Sequence, residues 1–208
     1  MKLYGAVNKS SFNTLKIRAA LAEAGAAYDY VAVDLPKGEA RTPAFLALNP
    51  HGKIPVLVDG DFALAESDAI LWYVGERFPE ARLLPAADGS RAAAEQRARV
   101  LQWCVFASSS LYAAYIEWWT FGHGTDPEKR VAAVAGGAVA RIDRAVGVME
   151  TVLAERDYLT GALSLGDLAN AAILQSLRRR LPDDPIARHD RVRAWFARVT
   201  DRPTWRAL

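Results

Sequence analysis

The sequence has little cysteine and little histidine. Its single cysteine, Cys104, stands among 208 residues, which excludes an intrachain disulfide, a Cys-x-x-Cys redox pair and a site built from several thiolates. We expect Cys104 to be a buried small residue rather than a reactive thiol. The histidines His51, His123 and His189 are scattered, so no His-rich motif is present and we expect no metal.

A large excess of one charge and a long apolar run are also missing. The chain has 26 Lys and Arg against 24 Asp and Glu, for a net charge of +2, which gives no general reason to bind nucleic acid or a membrane. The most apolar stretch, 131–140, is too short to span a bilayer. Residues 1–7 contain no signal-peptide core. We therefore expect a cytoplasmic globular protein with no nucleic-acid or membrane partner.

The first 80 residues alternate between strand-like and helix-like patterns. Apolar residues around Ile17 follow helical spacing and predict the first helix. A short helix is predicted to begin at Thr42, and Ser67 is predicted to cap a third helix. The strand-like segments are 2–7, 28–35, 54–58 and 62–65. The predicted order β-α-β-α-β-β-α is typical of an α/β layer with a mixed sheet.

The second half is predicted to be an all-α bundle. Its first helix runs from Arg91 to about Trp119, and Thr125 with Glu128 forms a capping box that predicts the start of the next. A third helix begins at Ser164, where Asp167 takes the partner position of another capping box, to which we assign only a structural role. A fourth helix follows residues 184–185.

The first motif with chemical potential lies between strand one and helix one. A hydroxyl of Ser10 or Ser11 is expected there to point toward unpaired backbone N–H groups and the positive end of a helix dipole. That environment favours an anion, including a thiolate. The simpler alternative is that Ser10, Ser11 and Asn13 only cap the helix.

The second motif is Asn-Pro-His-Gly-Lys-Ile-Pro, residues 49–55. A proline at a strand entry predicts a special turn, here with a cis Ile54–Pro55 bond. Such a bend leaves the N–H and C=O groups of Ile54 free to pair with an extended peptide. The alternative is an ordinary loop proline.

The third motif is Glu66-Ser67-Asp68 at a helix start. The Ser67 hydroxyl and the helix N-terminus suit a carboxylate, whereas Glu66 and Asp68 suit an ammonium group. One small site could hold both groups of an amino-acid head. The alternative is the acidic N-cap of a surface helix.

Taken in order, the motifs Ser-x-Asn-x-x-Lys-Ile, Asn-Pro-x-Gly-Lys-Ile-Pro, Glu-Ser-x-Ala-Ile and Ser-Leu-x-Asp resemble the cytosolic glutathione transferase family, in its serine-type, bacterial (theta-, phi- or nu-like) form. The resemblance covers essentially the whole chain. It implies a thioredoxin-like glutathione-binding domain over 1–80, a linker over 81–90 and an all-helical domain over 91–208 that contributes the electrophile pocket. It also implies a homodimer, in which helix 68–78 and the helix beginning at Arg91 meet the partner.

The resemblance assigns site roles, with glutathione as co-substrate. Ser11 would hydrogen-bond the glutathione thiolate, and Asn13 resembles part of a bacterial loop that favours glutathione-dependent disulfide reduction. Ile54 would pair its backbone with the tripeptide beside the family's cis-proline, Pro55. The γ-glutamyl head would be held by Glu66 and Ser67, and the glycine carboxylate would face Lys53 and Arg41. One departure is Ala40-Arg41, where plant-type serine enzymes often carry His-Lys, so that one expected contact is missing.

Aromatic residues crowd the end of the first long helix. Phe106, Tyr112 and Tyr115, together with Phe12 beside the serine, are candidate walls of a pocket for a small apolar electrophile. Aromatic residues at helical spacing are more often core. The run of arginines at 178–180 is predicted to be a solvated helix end.

Three functions fit these patterns. The leading one is conjugation of the glutathione thiolate to a hydrophobic electrophile, with Ser11 stabilising the thiolate. The first alternative, motivated by Asn13, is a glutathione-dependent disulfide or peroxide reductase. The second is a non-catalytic glutathione-binding or regulatory member of the fold, motivated by Ala40.

Overall fold

The computed structural model describes residues 1–9, 11–124 and 126–208, and its first part is an α/β layer. The strands are β1 (Lys2–Ala6), β2 (Asp29–Val33), β3 (Val56–Asp59) and β4 (Phe62–Leu64), and the helices are α1 (Phe12–Glu23), α2 (Pro43–Leu48) and α3 (Ser67–Arg77). The sheet order is β2-β1-β3-β4. Strands β1 and β2 run parallel, and the other two pairs are antiparallel. The predicted element order and the mixed sheet are confirmed.

Helix α1 is set by its capping residue and its apolar face. Ser11 is the N-cap, and Ile17, Ala20 and Leu21 are fully buried, at the spacing that places them on one side of a helix. Gly25 adopts a positive φ of 60° just beyond the helix, a conformation that glycine takes without steric cost. Helix α1 packs against both α3 and the helix Leu165–Arg180 of the second part, so it lies between the two parts of the chain.

The second part is helical, as predicted. Its helices are α4 (Arg91–Phe106), α5 (Ala113–Trp118), α6 (Ala132–Val152), α7 (Leu165–Arg180), α8 (Asp190–Thr200) and α9 (Pro203–Arg206). The predicted single helix is α4 and α5 joined by a π-helical segment, Ala107–Tyr112, and a second π segment, Trp119–His123, extends it. The fold class is therefore confirmed. Within the described residues, none of the helices combines the length and apolarity that a membrane crossing requires.

Two predicted helix starts are wrong. Ser67 is the first residue of α3 rather than its cap, because Glu66 occupies the N-cap position. Glu128 lies in a single 3-10 turn, Pro127–Lys129, and α6 begins only at Ala132 because Arg130 and Val131 are extended, with ψ of 128° and 96°. Thr125, the other half of that predicted capping box, lies outside the described residues.

The capping box at the start of α7 is confirmed. Asp167 is fully buried and accepts hydrogen bonds from the Ser164 N–H at 2.9 Å and the Ser164 hydroxyl at 2.7 Å. It also accepts the Leu159 N–H at 2.9 Å and the Trp195 indole N–H at 2.8 Å. Four donors on one carboxylate satisfy a buried charge, so this motif anchors α7 at the centre of the helical part.

Candidate active site

Ser11 stands where strand β1 gives way to helix α1. It is half-buried, and its Oγ accepts a hydrogen bond from the Thr14 N–H at 3.4 Å. Capping uses a lone pair of the hydroxyl oxygen and leaves its proton available as a donor. The capping interpretation and the thiolate-binding interpretation are therefore compatible, since the same oxygen can accept from the helix and donate to an anion.

Asn13 and Ser67 bring two of the predicted motifs together. The Ser67 hydroxyl donates to Asn13 Oδ1 at 3.2 Å, which joins the first turns of α1 and α3. A serine has one hydroxyl proton, so in this arrangement Ser67 does not also donate to a carboxylate. The unpaired backbone N–H groups that begin α3 remain as the donors for such a group.

Glu66 has an unusual backbone conformation. Its φ is 64° and its ψ is 113°, a region that costs a non-glycine residue about 1–3 kcal/mol and that is concentrated at ligand-binding and active sites. Its side chain is exposed and makes no capping hydrogen bond. The carboxylate is therefore available to an ammonium group.

The loop before β3 is held by Asn49. This side chain is 3% exposed; its Nδ2 donates to the Lys53 carbonyl at 2.7 Å and its Oδ1 accepts the His51 N–H at 3.1 Å. The Ile54–Pro55 bond is cis, as predicted. Pairing of β1 with β3 ends at Val56, so Ile54 lies beyond the ladder, where a peptide could pair with it.

Arg41 lies against the same loop. Its Nη1 donates to the His51 carbonyl at 3.4 Å, and a Cβ placed on Gly52 would approach Nη1 to 2.7 Å. Arg41 and Lys53 are both exposed, so this loop and the residue packed against it present two cationic side chains to solvent. Ala40, in contrast, is 3% exposed and packs in a small apolar cluster, which means that it belongs to the core and not to the site.

Three of the four predicted pocket residues meet beside Ser11. The ring centroid of Phe12 lies 5.0 Å from that of Tyr112 and 6.0 Å from that of Tyr115, both edge-on, and the tyrosine rings stack at 6.5 Å. Burial raises the pKa of both phenols, so they stay neutral at physiological pH. We call Phe12, Tyr112 and Tyr115 the aromatic cluster.

The sequence matches two family profiles, Glutathione S-transferase, N-terminal domain, over residues 1–76 and Glutathione S-transferase, C-terminal domain, over residues 110–198. It is 34% identical over 217 aligned positions to glutathione S-transferase 3 of Zea mays, covering 99% of this chain and 91% of that protein. The chain belongs to the glutathione S-transferase family.

Solved structures of the family are similar over nearly the whole chain. A glutathione transferase of Phanerochaete chrysosporium in complex with oxidized glutathione has a TM-score of 0.87 and 25% identity, covering 99% of this chain and 93% of that one. A theta class enzyme of Xanthomonas axonopodis pv. citri with glutathione bound has a TM-score of 0.83 and 27% identity, covering 99% and 95%.

Phe106 is not part of the aromatic cluster of this transferase. Its ring packs edge-on against Trp103 at 5.0 Å, and it lines a groove with Ser109, Arg141 and Val148 on the α6 side. The π segment that follows Phe106 uses i→i+5 hydrogen bonds, so the 3.6-residue spacing no longer relates residues on its two sides. The sequence pattern therefore could not show that Phe106 lies on the α6 side whereas Tyr112 and Tyr115 pack against Phe12.

A partly buried ion pair joins α1 and α3 and has no clear signature in the sequence. Lys16 in α1, whose side chain is 3% exposed, pairs with Asp68 in α3. Asp68 was a candidate for binding an ammonium group, and it is instead engaged within the protein. The only signal for this pair was a lysine next to Ile17 on the buried side of α1.

Cys104 lies near the same ion pair and is a buried thiol. It is 2% exposed. Burial, and secondarily the charge of Asp68, raises the pKa of its thiol to about 12, so the group is protonated at neutral pH and is not a nucleophile. The expectation of a buried residue is confirmed.

Proposed function

We propose that this chain conjugates the glutathione thiolate to a hydrophobic electrophile, with Ser11 donating a hydrogen bond to the sulfur. One observation carries the proposal: the half-buried Ser11 hydroxyl stands at the N-terminus of α1, directly before Phe12 of the aromatic cluster. A sulfur bound there would meet a hydroxyl donor, helix N–H groups and an apolar wall at once.

The chemistry follows from the ionisation of the thiol. A cysteine thiol has a pKa of about 8.5, so that about 3% is thiolate at pH 7. Lowering this pKa by about two units, or about 2.7 kcal/mol, makes the thiolate the major form. The proton goes to solvent, the sulfur forms a bond to the electrophilic carbon, and the leaving group departs with its electron pair. No base on the protein is required, and positioning supplies the remaining rate.

The rest of the tripeptide would extend from Ser11 across the first domain. Ile54 beside cis-Pro55 would pair with the cysteine residue of glutathione through its backbone. Glu66 and the N–H groups that begin α3 would hold the γ-glutamyl head, with Ser67 positioned by Asn13, and Arg41 and Lys53 would face the glycine carboxylate. This division assigns glutathione to residues 1–80 and the electrophile to residues 91–208, joined by a linker over 81–90.

The alternative is a glutathione-dependent disulfide or peroxide reductase. Its support is Asn13, whose amide shares the first turn of α1 with Ser11. In that reaction the thiolate attacks a disulfide sulfur, one thiol leaves, and a second glutathione resolves the mixed disulfide, so glutathione is oxidised as the substrate is reduced.

Rates on two substrates separate these functions. We expect turnover of 1-chloro-2,4-dinitrobenzene with glutathione and negligible turnover of bis(2-hydroxyethyl) disulfide. Faster reduction of the disulfide would favour the reductase. Tight glutathione binding by calorimetry with no turnover of either compound, or of a peroxide, would identify a non-catalytic member of the family.

We also propose that the protein is a cytoplasmic homodimer that uses α3 and α4 as its interface. Leu101 and Val105 lie one turn apart on α4 and are 43% and 47% exposed. Apolar side chains at i and i+4 share a helix face, which suits burial against a second copy.

A further inference from the structure

A cavity of about 570 Å³ lies among α1, the end of α7 and α9. Its lining is basic: five cationic side chains contribute to it and no Asp or Glu does. The five are Lys9, Arg18, Arg179, Arg180 and Arg206.

Most of these charges lack a carboxylate partner. Arg206 pairs with Asp201 at 2.8 Å, whereas Lys9, Arg179 and Arg180 form no ion pair with any described residue. The neighbouring Arg178 provides the contrast: it pairs with Asp184 at 2.8 Å and does not line the cavity. All three arginines of the run are exposed at the end of α7, as predicted for a solvated helix end, and the run divides into one arginine with an acidic partner and two that line the cavity.

Arg18 is the buried member of this set. It is 6% exposed, and its Nη2 donates to the main-chain oxygen of Leu208, the last residue of the sequence, at 2.8 Å. Its buried Nε has no hydrogen-bond partner in the part of the chain that the structure describes. A buried guanidinium charge is costly, and the opposite charge of an anion in the cavity would reduce that cost.

The cavity adjoins the aromatic cluster. Phe12 lines both. Tyr115, whose ring packs against Phe12, lies within the electrostatic influence of Arg180: burial raises the pKa of the Tyr115 phenol, and the Arg180 charge opposes that rise. A molecule with its ring against the cluster could thus place an acidic substituent among the arginines.

We propose that this cavity binds the acidic group of the second substrate, so that the chain prefers aromatic electrophiles that carry a carboxylate or sulfonate. The proposal rests on the conjugation function given above. Arginine suits such a group because its planar guanidinium donates two parallel hydrogen bonds to two oxygens.

The test uses a matched pair of electrophiles, 4-chloro-3-nitrobenzoate and the neutral 4-chloro-3-nitrobenzamide. In both, the glutathione sulfur bonds to the ring carbon that bears chlorine, and chloride leaves. Each kcat/KM is divided by the uncatalysed rate constant, which removes the difference in intrinsic reactivity. We expect the benzoate to be favoured by about fivefold or more, the effect of about 1 kcal/mol at a partly exposed charge pair.

Three arginine variants locate the preference. Arg179→Gln and Arg180→Gln should each lower the benzoate-to-benzamide ratio by about two- to fivefold, chiefly through a higher KM for the benzoate. Arg178→Gln removes the same charge one position away and should leave the ratio unchanged. An equal ratio in the unsubstituted protein, or an equal loss in Arg178→Gln, would overturn the proposal.

The two proposals fail in different ways. Turnover of 1-chloro-2,4-dinitrobenzene without a preference for the benzoate would overturn the acidic-substrate proposal alone. If no electrophile reacts, the conjugation function fails, and calorimetry with 3-nitrobenzoate and 3-nitrobenzamide decides whether the cavity binds anions. Tighter binding of the benzoate that Arg179→Gln weakens would support an anion site, and equal binding would overturn it.

Discussion

The hydroxyl of Ser67 donates a hydrogen bond to Oδ1 of Asn13 across 3.2 Å, although the two residues are 54 positions apart. The bond ties the start of α3, where we place the γ-glutamyl head, to the start of α1, where we place the sulfur. The Lys16–Asp68 ion pair joins the same two helices one turn deeper. The proposed positions of the γ-glutamyl head and of the sulfur are thus linked through the protein.

The Asn13–Ser67 bond predicts non-additive effects on glutathione binding. Asn13→Ala, Ser67→Ala and the double variant, measured by calorimetry, should give a coupling energy of about 0.5–1.5 kcal/mol. A second cycle that combines Asn13→Ala with Ser90→Ala, at the remote cap of α4, should be additive. Additive behaviour of the Asn13 and Ser67 substitutions would show that the bond does not contribute to binding.

Ser11→Ala separates capping from chemistry when it is compared with Ser90→Ala. Both serines cap helices, with N···O distances of 3.4 Å and 3.1 Å, so each substitution should cost up to about 1 kcal/mol of stability. Only Ser11→Ala should reduce kcat, by at least about tenfold, because a hydrogen bond to a charged group contributes about 1.5–3 kcal/mol. Unchanged turnover in Ser11→Ala would remove this serine from the mechanism.

The ion pair between Glu23, at the end of α1, and Arg202 should make the stability of the protein depend on pH. Arg202 donates to the two carboxylate oxygens of Glu23 at 2.6 Å each. Burial pushes the pKa of Glu23 upward, but the hydrogen bonds from Arg202 and Thr204 outweigh it, so that the pKa lies below its ordinary value. The stabilisation is therefore complete above the pKa of an unfolded glutamate, about 4.3, and is lost as the pH falls through the lower folded value.

Urea unfolding tests this at two pH values. At pH 7, Glu23→Gln should lower the free energy of unfolding by about 2 kcal/mol, and the difference should shrink as the pH falls below about 4. Asp201→Asn, which breaks the exposed pair with Arg206, should cost less than about 1 kcal/mol. A Glu23→Gln penalty that stays constant with pH would contradict the assignment.

The proposed dimer predicts a molecular mass of two chains in solution and a substitution that should dissociate it. Light scattering at micromolar concentration should give twice the chain mass of 22.7 kDa. Leu101→Glu on α4 should yield a monomer, because a charge would be buried at the interface. Val139→Glu on α6, where the side chain is 40% exposed, should leave the dimer intact. A monomeric mass for the unsubstituted chain would refute the interface.

Local features were predictable from the sequence because each depends on neighbours in the chain. The apolar face around Ile17, the cis bond before Pro55 and the capping box of Ser164 and Asp167 all follow from spacing and residue type, and the structure contains each of them. The position of Ser11 at the start of α1 belongs to the same group.

Partners distant in the chain were not predictable, since no local pattern relates them. Lys16 and Asp68 are 52 positions apart, and the motif around Asp68 instead predicts that its carboxylate binds an ammonium group of a ligand. The sequence groups Phe106 with Tyr112 and Tyr115 at the end of one long helix, whereas the residues that follow Phe106 form a π-helical segment. The cavity beside Arg179 is lined by residues of α1, α7, α8 and α9 and of the segment before α1, so no single stretch of the sequence indicates it.

The ionisation of the glutathione sulfur inside the complex is the most direct measurement. Ultraviolet difference spectra of the protein–glutathione complex across the neutral pH range should show thiolate absorbance with an apparent pKa about two units below the ~8.5 of a free thiol. Ser11→Ala should raise the apparent pKa of the bound sulfur most of the way back to the value of the free thiol. A sulfur that is still protonated near pH 8 in the unsubstituted protein would contradict the proposal that Ser11 and the N-terminus of α1 stabilise the thiolate.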